Sequence, residues 1–545
     1  MAATRLVAAV LVALVAAAAD ARVVPVLRVE GDCDPEGHPL DVDVGPIMHE
    51  GAAAARRLAP ASVGHRSVAV AASRDSVVTA GEVLERGDGS ADGRRVFVTR
   101  HVASSGGLLW ARVLRTNVTG AGGYYTPKDI AIAADSSIFV AGRADAQGNE
   151  QGWLGKFSSS GLALWTRRLQ THGGGGAASV AVGSEGSIFV SGGMTAGGNA
   201  NRSEAFLVRY SSGGDVAWAT SLGMSVNTTA CCVGAAGEHV FMAGSLAGQA
   251  GMGPSVFLTK YSLDGKRQWA RQTGLGAYEV VTGIAASQDG DGAVFVAGSS
   301  MANISSGRLE PFLAKFAADG VRSWVRRLRM RGEIELKALS PGSPMAGADA
   351  FAFAAVGSVS FSGSKDALVT TYDTNGNLLW ARQLSTLAGV DDTAVGVTAG
   401  PAASLIVTTA SDNASTAGYE RAYLARYNTF GDVNWTARIN TTAAGSDAAS
   451  DTLAEAFSQL GLGTAGPSLA QLASRSASPT PAPSNEPPER GDEDVIGDDG
   501  TPWEFFDNVS APKLVHISAA SGRRGLPLLA LAVAVSIADA ASRSA

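Results

Sequence analysis

The chain has 545 residues and a formal net charge of −7, with 67 Gly, 20 Pro and 17% charged residues. This length suffices for one large domain or several small ones. Glycine makes up about an eighth of the chain rather than a third, which excludes collagen. The acidic balance leaves no basic field for nucleic-acid phosphates, so we expect no nucleic-acid partner. Three cysteines, Cys33, Cys231 and Cys232, are too few for a disulfide scaffold.

The first 21 residues have the pattern of a secretory signal peptide. Arg5 precedes an apolar stretch from Leu6 to Ala19, and Ala19-Asp20-Ala21 forms a small-x-small cleavage site. We therefore expect a secreted protein or one on the extracellular cell surface, with residues 22–61 as an N-terminal extension. Glycosylation sequons fit this address and lie at Asn117, Asn201, Asn227, Asn303, Asn413, Asn440 and Asn508, with an eighth at Asn434.

A repeat of about 55 residues follows, and tryptophan marks its phase. Seven of the nine Trp share this phase: Trp110, Trp165, Trp218, Trp269, Trp324, Trp380 and Trp435. The text around them recurs, as in FSSSGLALWTRRL at 157–169 and YDTNGNLLWARQL at 372–384. A second block lies upstream, as in IAIAADSSIFVAG at 130–142 and VAVGSEGSIFVSG at 180–192.

Each unit predicts four short strands joined by hairpin turns. A four-stranded sheet cannot bury both of its faces alone, so the copies must pack on one another. The sequence thus predicts an all-β fold, a seven-bladed β-propeller of four-stranded antiparallel blades over residues 62–440. The small-residue strand fits the crowded axis, and the Trp strand fits the outer edge, which we expect to be exposed. Arg two residues after most of these Trp would lie on the same face, where it can stack on the indole and discourage edge pairing.

The residues also carry a family resemblance. The pairing of IFVAG with YDTNGNLLWAR resembles the seven-bladed β-propeller repeat called the SBBP repeat, while FLVRYSSGG and YLARYNTFG resemble the delta-60 repeat. The resemblance implies a propeller and an extracellular scaffold without an assigned reaction. The chain departs from the pattern at Cys231-Cys232, and in the sixth unit, where Pro341 and Pro344 accompany the loss of a clear Phe-Val-Ala-Gly strand.

The segments after the ring predict little further folding. Residues 441–470 contain a short helical segment, and residues 471–517 form an acidic, Pro- and Ser-rich linker that we expect to be disordered. Residues 518–545 form a hydrophobic tail with three alternatives: a GPI signal, a membrane anchor or neither.

Chemistry is hard to find in this sequence. The seven His show no metal spacing and no nucleophile context, so we assign no catalytic, cofactor-binding or metal residues. Adjacent cysteines do not easily bond to each other, so we expect Cys231 or Cys232 to pair with Cys33.

Two functions remain open from the sequence. The first is a non-enzymatic propeller that binds an unidentified protein or glycan. In this interpretation the C-terminal tail is the segment that could attach the protein to a membrane. The alternative is a propeller enzyme, either quinone-dependent or glycan-cleaving, with its site at the channel mouth. An enzyme would need converging charged groups there, whereas the inner strands offer mostly Ala, Gly, Val and Ser, so the sequence favours the first.

Overall fold

The computed structural model describes the ring almost completely and short parts of the flanks. The described residues are 26–31, 40–43, 48–49, 63–85, 94–114, 124–146, 149–169, 175–195, 202–223, 226–248, 253–301, 309–329, 332–342, 351–361, 364–385, 390–412, 421–439, 441 and 504–505. The predicted signal peptide, helical segment and tail lie outside these residues, as does nearly all of the predicted linker.

Three strands precede the ring: β1 (Val26–Gly31), β2 (Leu40–Asp43) and β3 (Met48–His49). Blade 1 contains β4 (Val63–Ala72), β5 (Ser76–Glu85), β6 (Arg94–Val102) and β7 (Leu108–Leu114). Blade 2 contains β8 (Tyr124–Ile132), β9 (Ile138–Ala146), β10 (Asn149–Phe157) and β11 (Ala163–Leu169). Blade 3 contains β12 (Gly175–Val182), β13 (Ile188–Thr195), β14 (Ser203–Tyr210) and β15 (Val216–Ser221).

Blade 4 contains β16 (Thr228–Ala236), β17 (His239–Leu246), β18 (Ser255–Ser262) and β19 (Arg267–Gln272). Blade 5 contains β20 (Tyr278–Ala286), β21 (Val294–Met301), β22 (Glu310–Phe316) and β23 (Arg322–Arg329). Blade 6 contains β24 (Glu333–Pro341), β25 (Phe353–Phe361), β26 (Ser364–Tyr372) and β27 (Leu378–Ser385). Blade 7 contains β28 (Asp391–Ala399), β29 (Leu405–Asp412), β30 (Arg421–Tyr427) and β31 (Val433–Arg438), and β32 (Glu504–Phe505) lies beyond the ring.

The seven-bladed prediction is confirmed, including the sixth blade. Each blade pairs its four strands antiparallel in chain order, with the Trp strand outermost among the four. Blade 6 keeps all four strands because Pro341 is the last residue of β24, where the proline ring does not interrupt the ladder. The core lies between the faces of neighbouring blades, as where Phe139 and Trp165 of blade 2 meet Val190 and Phe206 of blade 3.

A repeated contact joins each blade to the next. The phased Trp of one blade lies over a glycine with positive φ in the last hairpin turn of the following blade. The pairs are Trp110 with Gly161, Trp165 with Gly214, Trp218 with Gly265, Trp269 with Gly320, Trp324 with Gly376, Trp380 with Gly431 and Trp435 with Gly106. At Gly320, with φ +83°, an added Cβ would lie 2.9 Å from Cδ2 of Trp269. Only glycine suits both the backbone angle and the close approach.

Hydrogen bonds to the same turn strengthen the contact. The indole N–H of Trp269 donates to the carbonyl of Ala318 at 2.8 Å, and Nη2 of Arg271 donates to the carbonyl of Asp319 at 2.9 Å. The Arg271 guanidinium carbon lies 5.7 Å from the centre of the Trp269 ring. Blades 1, 2, 4, 5 and 6 thus fix the turn of the next blade by packing, hydrogen bonding and cation–π attraction. Blades 3 and 7 have Thr220 and Ala437 in place of the Arg and keep the packing and the indole hydrogen bond.

The ring closes by packing between blades 7 and 1 without an exchanged strand. The Trp435 indole donates to the Ala103 carbonyl at 3.1 Å, which repeats the inter-blade contact across the chain ends. Nε2 of His65, on the first strand, lies 2.8 Å from Oγ1 of Thr441. The two ends of the ring are therefore held by the same type of interaction as the other blades, supplemented by His65.

Flanking segments cover three of the outer edges. Strand β1 pairs antiparallel with β23 of blade 5 and with β2, while β3 and β32 pair parallel with β27 and β19. The sequence predicted that the outermost strands are exposed edges, and for blades 4, 5 and 6 this is wrong. An edge strand presents unpaired backbone groups, and the chain's own flanks satisfy some of them here.

Helix contributes little to the described structure. A single 3₁₀ turn lies at Pro401–Ala403. No helix in the described ranges is long and apolar enough to cross a membrane.

Replacement of Trp269 by alanine should destabilise the ring by about 3–5 kcal/mol, because its buried indole fills the space over Gly320. Chemical denaturation followed by circular dichroism measures this. The matched control is Leu109→Ala on the corresponding strand of blade 1, where the side chain is 53% exposed and the change should cost under about 0.5 kcal/mol. Equal losses in both variants would contradict the proposed role of Trp269.

Acid should weaken the closure of the ring through His65. Burial, and to a smaller extent the nearby positive charge of Arg438, lowers the pKa of His65 from 6.5 to about 4. Below pH 6.5 the unfolded chain therefore binds a proton that the folded ring excludes, so stability is lost as the pH falls from 6.5 towards 4. The difference between wild type and His65→Gln should shrink by up to about 3 kcal/mol across this window. A constant difference between pH 7 and pH 4 would contradict it.

Candidate functional site

Every innermost strand carries a β-bulge at the same level of the channel. The ladder with the second strand skips one residue, and the skipped residues are Val68, Lys128, Ala178, Cys231, Thr282, Lys337 and Val395. A bulge re-aims the side chain at which pairing is interrupted. We call these seven positions the bulge ring. All seven lie on inner strands, and all except Lys128 have small or apolar residues next to them in the sequence. The residue at the bulge therefore decides which side chain each blade presents at this level.

A cavity of about 400 Å³ lies beside the bulge ring between blades 7, 1 and 2. Val68, Lys128 and Val395 of the ring line it. Its charged lining residues are Arg66, Glu82, Lys128, Arg143 and Glu150. This volume falls in the range of pockets that hold small ligands. We call this cavity the channel-mouth pocket.

The sheet register brings four of these charges together. Arg66 on β4 lies directly opposite Glu82 on β5, and the Glu82 side chain is buried at 4% exposure. On blade 2, Nη1 of Arg143 lies 3.5 Å from Oε2 of Glu150. Both blades thus place an arginine beside a carboxylate at the same end of the channel.

Arg143 is held in place from two sides. The indole of Trp153 donates to the Arg143 carbonyl at 3.1 Å. The Arg143 side chain crosses Gly176 of blade 3 so closely that an added Cβ there would lie 2.4 Å from Cγ of Arg143. Trp153, the out-of-phase tryptophan of blade 2, therefore both packs in the core between blades 1 and 2 and bonds the backbone of Arg143.

Asp129 anchors the bulge that carries Lys128. Its carboxylate accepts hydrogen bonds from Ser179 Oγ at 2.7 Å and Val180 N at 2.9 Å on blade 3, and from Ile130 N at 2.8 Å. Burial raises the pKa of Asp129, while these three donors oppose that effect. The anchor fixes the backbone next to Lys128 against the neighbouring blade.

Lys128 has an altered proton affinity. Partial desolvation in the pocket lowers its pKa most, the positive charges of Arg143 and Arg66 lower it further, and Glu82 and Glu150 oppose the shift. A lysine with a lowered pKa can act as a general base. The pocket thus combines arginines that can bind an anion with an amine that can accept a proton.

A second group of charges lies on blade 6. Lys337, a member of the bulge ring, hydrogen-bonds Glu335, and Nζ of Lys365 lies 3.8 Å from Oε2 of Glu335. Blade 7 separates this pair of lysines from Arg66. Positively charged side chains therefore lie on both sides of blade 7.

The expectation that the inner strands bring no charged groups together is wrong. Arg66 and Lys128 precede the small-residue cores of β4 and β8, and Glu82, Arg143 and Glu150 come from the second and third strands. Apart from the lysine at the bulge, which blade 6 repeats as Lys337, these residue types do not recur at the matching positions of the other blades. The sequence signal that could have revealed the pocket is this lysine, since the other five blades have Val, Ala, Thr or Cys at the bulge.

The cysteine expectation is also wrong in part. A disulfide joins Cys231 to Cys232 on β16. The β-bulge between Ala230 and Cys232 departs from regular strand geometry, which the argument against adjacent pairing had assumed. Cys33 lies outside the described residues.

The structure describes only two of the sequons. Asn227 is exposed before β16, with its side-chain oxygen accepting from Ser203 N at 3.1 Å, and Asn434 is exposed on β31. Asn117, Asn201, Asn303, Asn413, Asn440 and Asn508 lie outside the described residues. Within the described ranges no group of three or more His, Cys, Asp or Glu could hold a metal ion.

Comparison with known proteins shows the fold alone. No protein-family model and no curated protein sequence matches the chain. Among solved structures, the β-propeller domain of the trilobed protease from Pyrococcus furiosus is 7% identical, with a TM-score of 0.41, covering 70% of this chain and 98% of that one. A polysaccharide lyase, an ulvan lyase, is 9% identical, with a TM-score of 0.41 and coverage of 70% and 98%. Puromycin hydrolase is 14% identical, with a TM-score of 0.40, covering 69% of this chain and 54% of that one.

The prediction of a non-enzymatic scaffold is contradicted at its premise, which was that no charged groups converge at the mouth of the channel. The channel-mouth pocket brings together Arg66, Glu82, Lys128, Arg143 and Glu150.

Because its pKa is lowered, Lys128 should react with an acylating reagent at a lower pH than an ordinary lysine, once the rates are corrected for solvent exposure. Mass spectrometry of labelled peptides across a pH series measures this, with the 84% exposed Lys266 as internal reference. Arg143→Gln should shift the Lys128 profile to higher pH, and Glu82→Gln to lower pH. An unchanged profile in both variants would contradict the electrostatic account.

Proposed function

We propose that this protein is a propeller enzyme that cleaves an acidic glycan at the channel-mouth pocket. The observation that carries the proposal is the meeting of Arg66, Arg143 and Lys128 with Glu82 and Glu150 in one cavity. Arginine binds carboxylate and sulfate groups through paired N–H donors, and Lys128 supplies a base beside them. Three cations against two carboxylates leave the pocket with a formal positive charge, in a protein whose total charge is −7.

The shape of the site supports a polymer rather than a small metabolite. Arg66 and Lys128 are exposed at the mouth, so a long substrate can reach them without passing through the channel. Lys337 and Lys365 extend the positive charge to blade 6. A chain with acidic groups at intervals would meet both patches, and steering by such charges raises association rates.

The proposed location is extracellular. The signal-peptide pattern of residues 1–21 and the sequons support secretion and glycosylation, and the tail at 518–545 supports attachment to a membrane, as a GPI signal or an anchor. The repeat text supports a relationship to SBBP and delta-60 repeats. Glycans of a cell surface or matrix would be within reach of a protein at this location.

The test is a cleavage assay on the full-length protein with acidic and neutral polysaccharides. New reducing ends should appear with acidic polymers only, and Lys128→Ala should abolish them. Lys266→Ala is the matched control, since Lys266 lies in the exposed turn between β18 and β19 and pairs with Asp264. Absence of new reducing ends from every acidic polymer, or full activity in Lys128→Ala, would contradict the proposal.

A further inference from the structure

Resting on the proposed function, we infer that the pocket cleaves polymers of uronic acid by β-elimination, with Lys128 as the base and Arg66 and Arg143 holding the uronate carboxylate. The class of reaction follows from the residue types that the pocket combines. Hydrolysis by the usual route needs two carboxyl groups flanking the bond, one as acid and one as base or nucleophile. Here Glu82 is buried at 4% exposure, so Glu150 is the one carboxyl group that the described lining of the pocket exposes to a substrate.

Elimination needs a different set of groups, and the pocket supplies them. The proton to be removed lies on the carbon next to the carboxylate, and it becomes acidic only when positive charge stabilises the negative charge that develops on the carboxylate oxygens. Two arginines beside one lysine provide this arrangement. The Asp129 anchor and the Trp153 hydrogen bond fix the backbone at Lys128 and at Arg143, from which both side chains enter the pocket.

The atoms balance within the substrate and Lys128. The neutral amine of Lys128 removes the proton from the carbon that bears the carboxylate, and the electron pair moves into the carboxylate held by Arg66 and Arg143. The bond from the adjacent carbon to the glycosidic oxygen then breaks, and a carbon–carbon double bond forms. The Lys128 ammonium returns its proton to the departing oxygen. No water, oxidant or reductant is consumed, and the amine is regenerated.

Because a single group both removes the proton and returns it, the configuration of the sugar that can react is restricted. The removed hydrogen and the departing oxygen must lie on the same face of the ring. Glucuronate has this configuration, whereas galacturonate places them on opposite faces. The single lysine of the pocket therefore selects a glucuronate-type polymer. The next acidic residue along such a polymer would face Lys337 and Lys365, which share Glu335 as their partner.

The experiment measures two products of the same reaction. The full-length protein is incubated separately with polyglucuronate, polygalacturonate and a neutral cello-oligosaccharide, and both the ultraviolet absorbance of unsaturated uronate and the reducing ends are recorded. We expect both signals to rise in equal molar amounts with polyglucuronate alone. Reducing ends without ultraviolet absorbance would overturn elimination while leaving glycan cleavage intact. Absence of both signals would overturn the proposed function as well, and equal or greater activity on polygalacturonate would overturn the single-lysine mechanism.

Variants separate catalysis from binding. Lys128→Arg keeps the positive charge but loses the base, so kcat should fall by at least about 100-fold with KM little changed. Lys337→Gln should instead raise KM and leave kcat near that of the wild type. The rate should rise with pH as Lys128 loses its proton, and the lowered pKa of Lys128 places this rise below that of an ordinary lysine. A Lys128→Arg variant with wild-type kcat would overturn the assignment of the base.

Discussion

The structure depends on one interaction repeated seven times, the seating of a tryptophan on a positive-φ glycine in the next blade. The contact works only if glycine removes the Cβ and the turn adopts the left-handed angle, so both partners are fixed together. Since Trp435 docks on Gly106 as Trp110 docks on Gly161, the last blade meets the first by the same chemistry. The ring therefore closes without borrowing a strand, and the flanking segments are left to cover outer edges instead.

Because the Trp–Gly contact lies at the outer strand, it does not restrict the residue type at the bulge of the inner strand. The inner strands need to be small enough to crowd around the axis, and their bulges then present one side chain each. Because the bulge ring is not part of the Trp–Gly contact, its residue types can differ between blades at little structural cost. Blades 2 and 6 present lysine there, and blade 4 presents one cysteine of its disulfide. The blades thus share the residues of the Trp–Gly contact and differ in the residue at the bulge.

This division explains what the sequence could predict. The phased Trp and the turn glycines recur at every blade and the following Arg at five of the seven, so their period predicted the number of blades and the outermost strand. The charged pocket residues, at positions 66, 82, 128, 143 and 150, follow no period, because only the lysine at 128 has a counterpart, Lys337 of blade 6. They are brought together by strand register and by the packing of blade 1 on blade 2, which a search for repeats does not detect. The disulfide between Cys231 and Cys232 was not predicted for a related reason. The bulge at Cys231 changes the local backbone geometry, and the adjacency of the two residues in the sequence does not reveal this change.

The fold and the site meet at Asp129, where the two sets of constraints share a residue. Its carboxylate binds Ser179 and Val180 of blade 3, so it contributes to inter-blade packing, and its neighbour Lys128 enters the pocket. The three hydrogen bonds that it accepts compensate for the burial of a charged group, which would otherwise be unfavourable. Removing the carboxylate would disturb packing and chemistry together, whereas a change at Lys128 alters the proton acceptor alone. The role of the base therefore has to be tested by substitution of Lys128 rather than of Asp129.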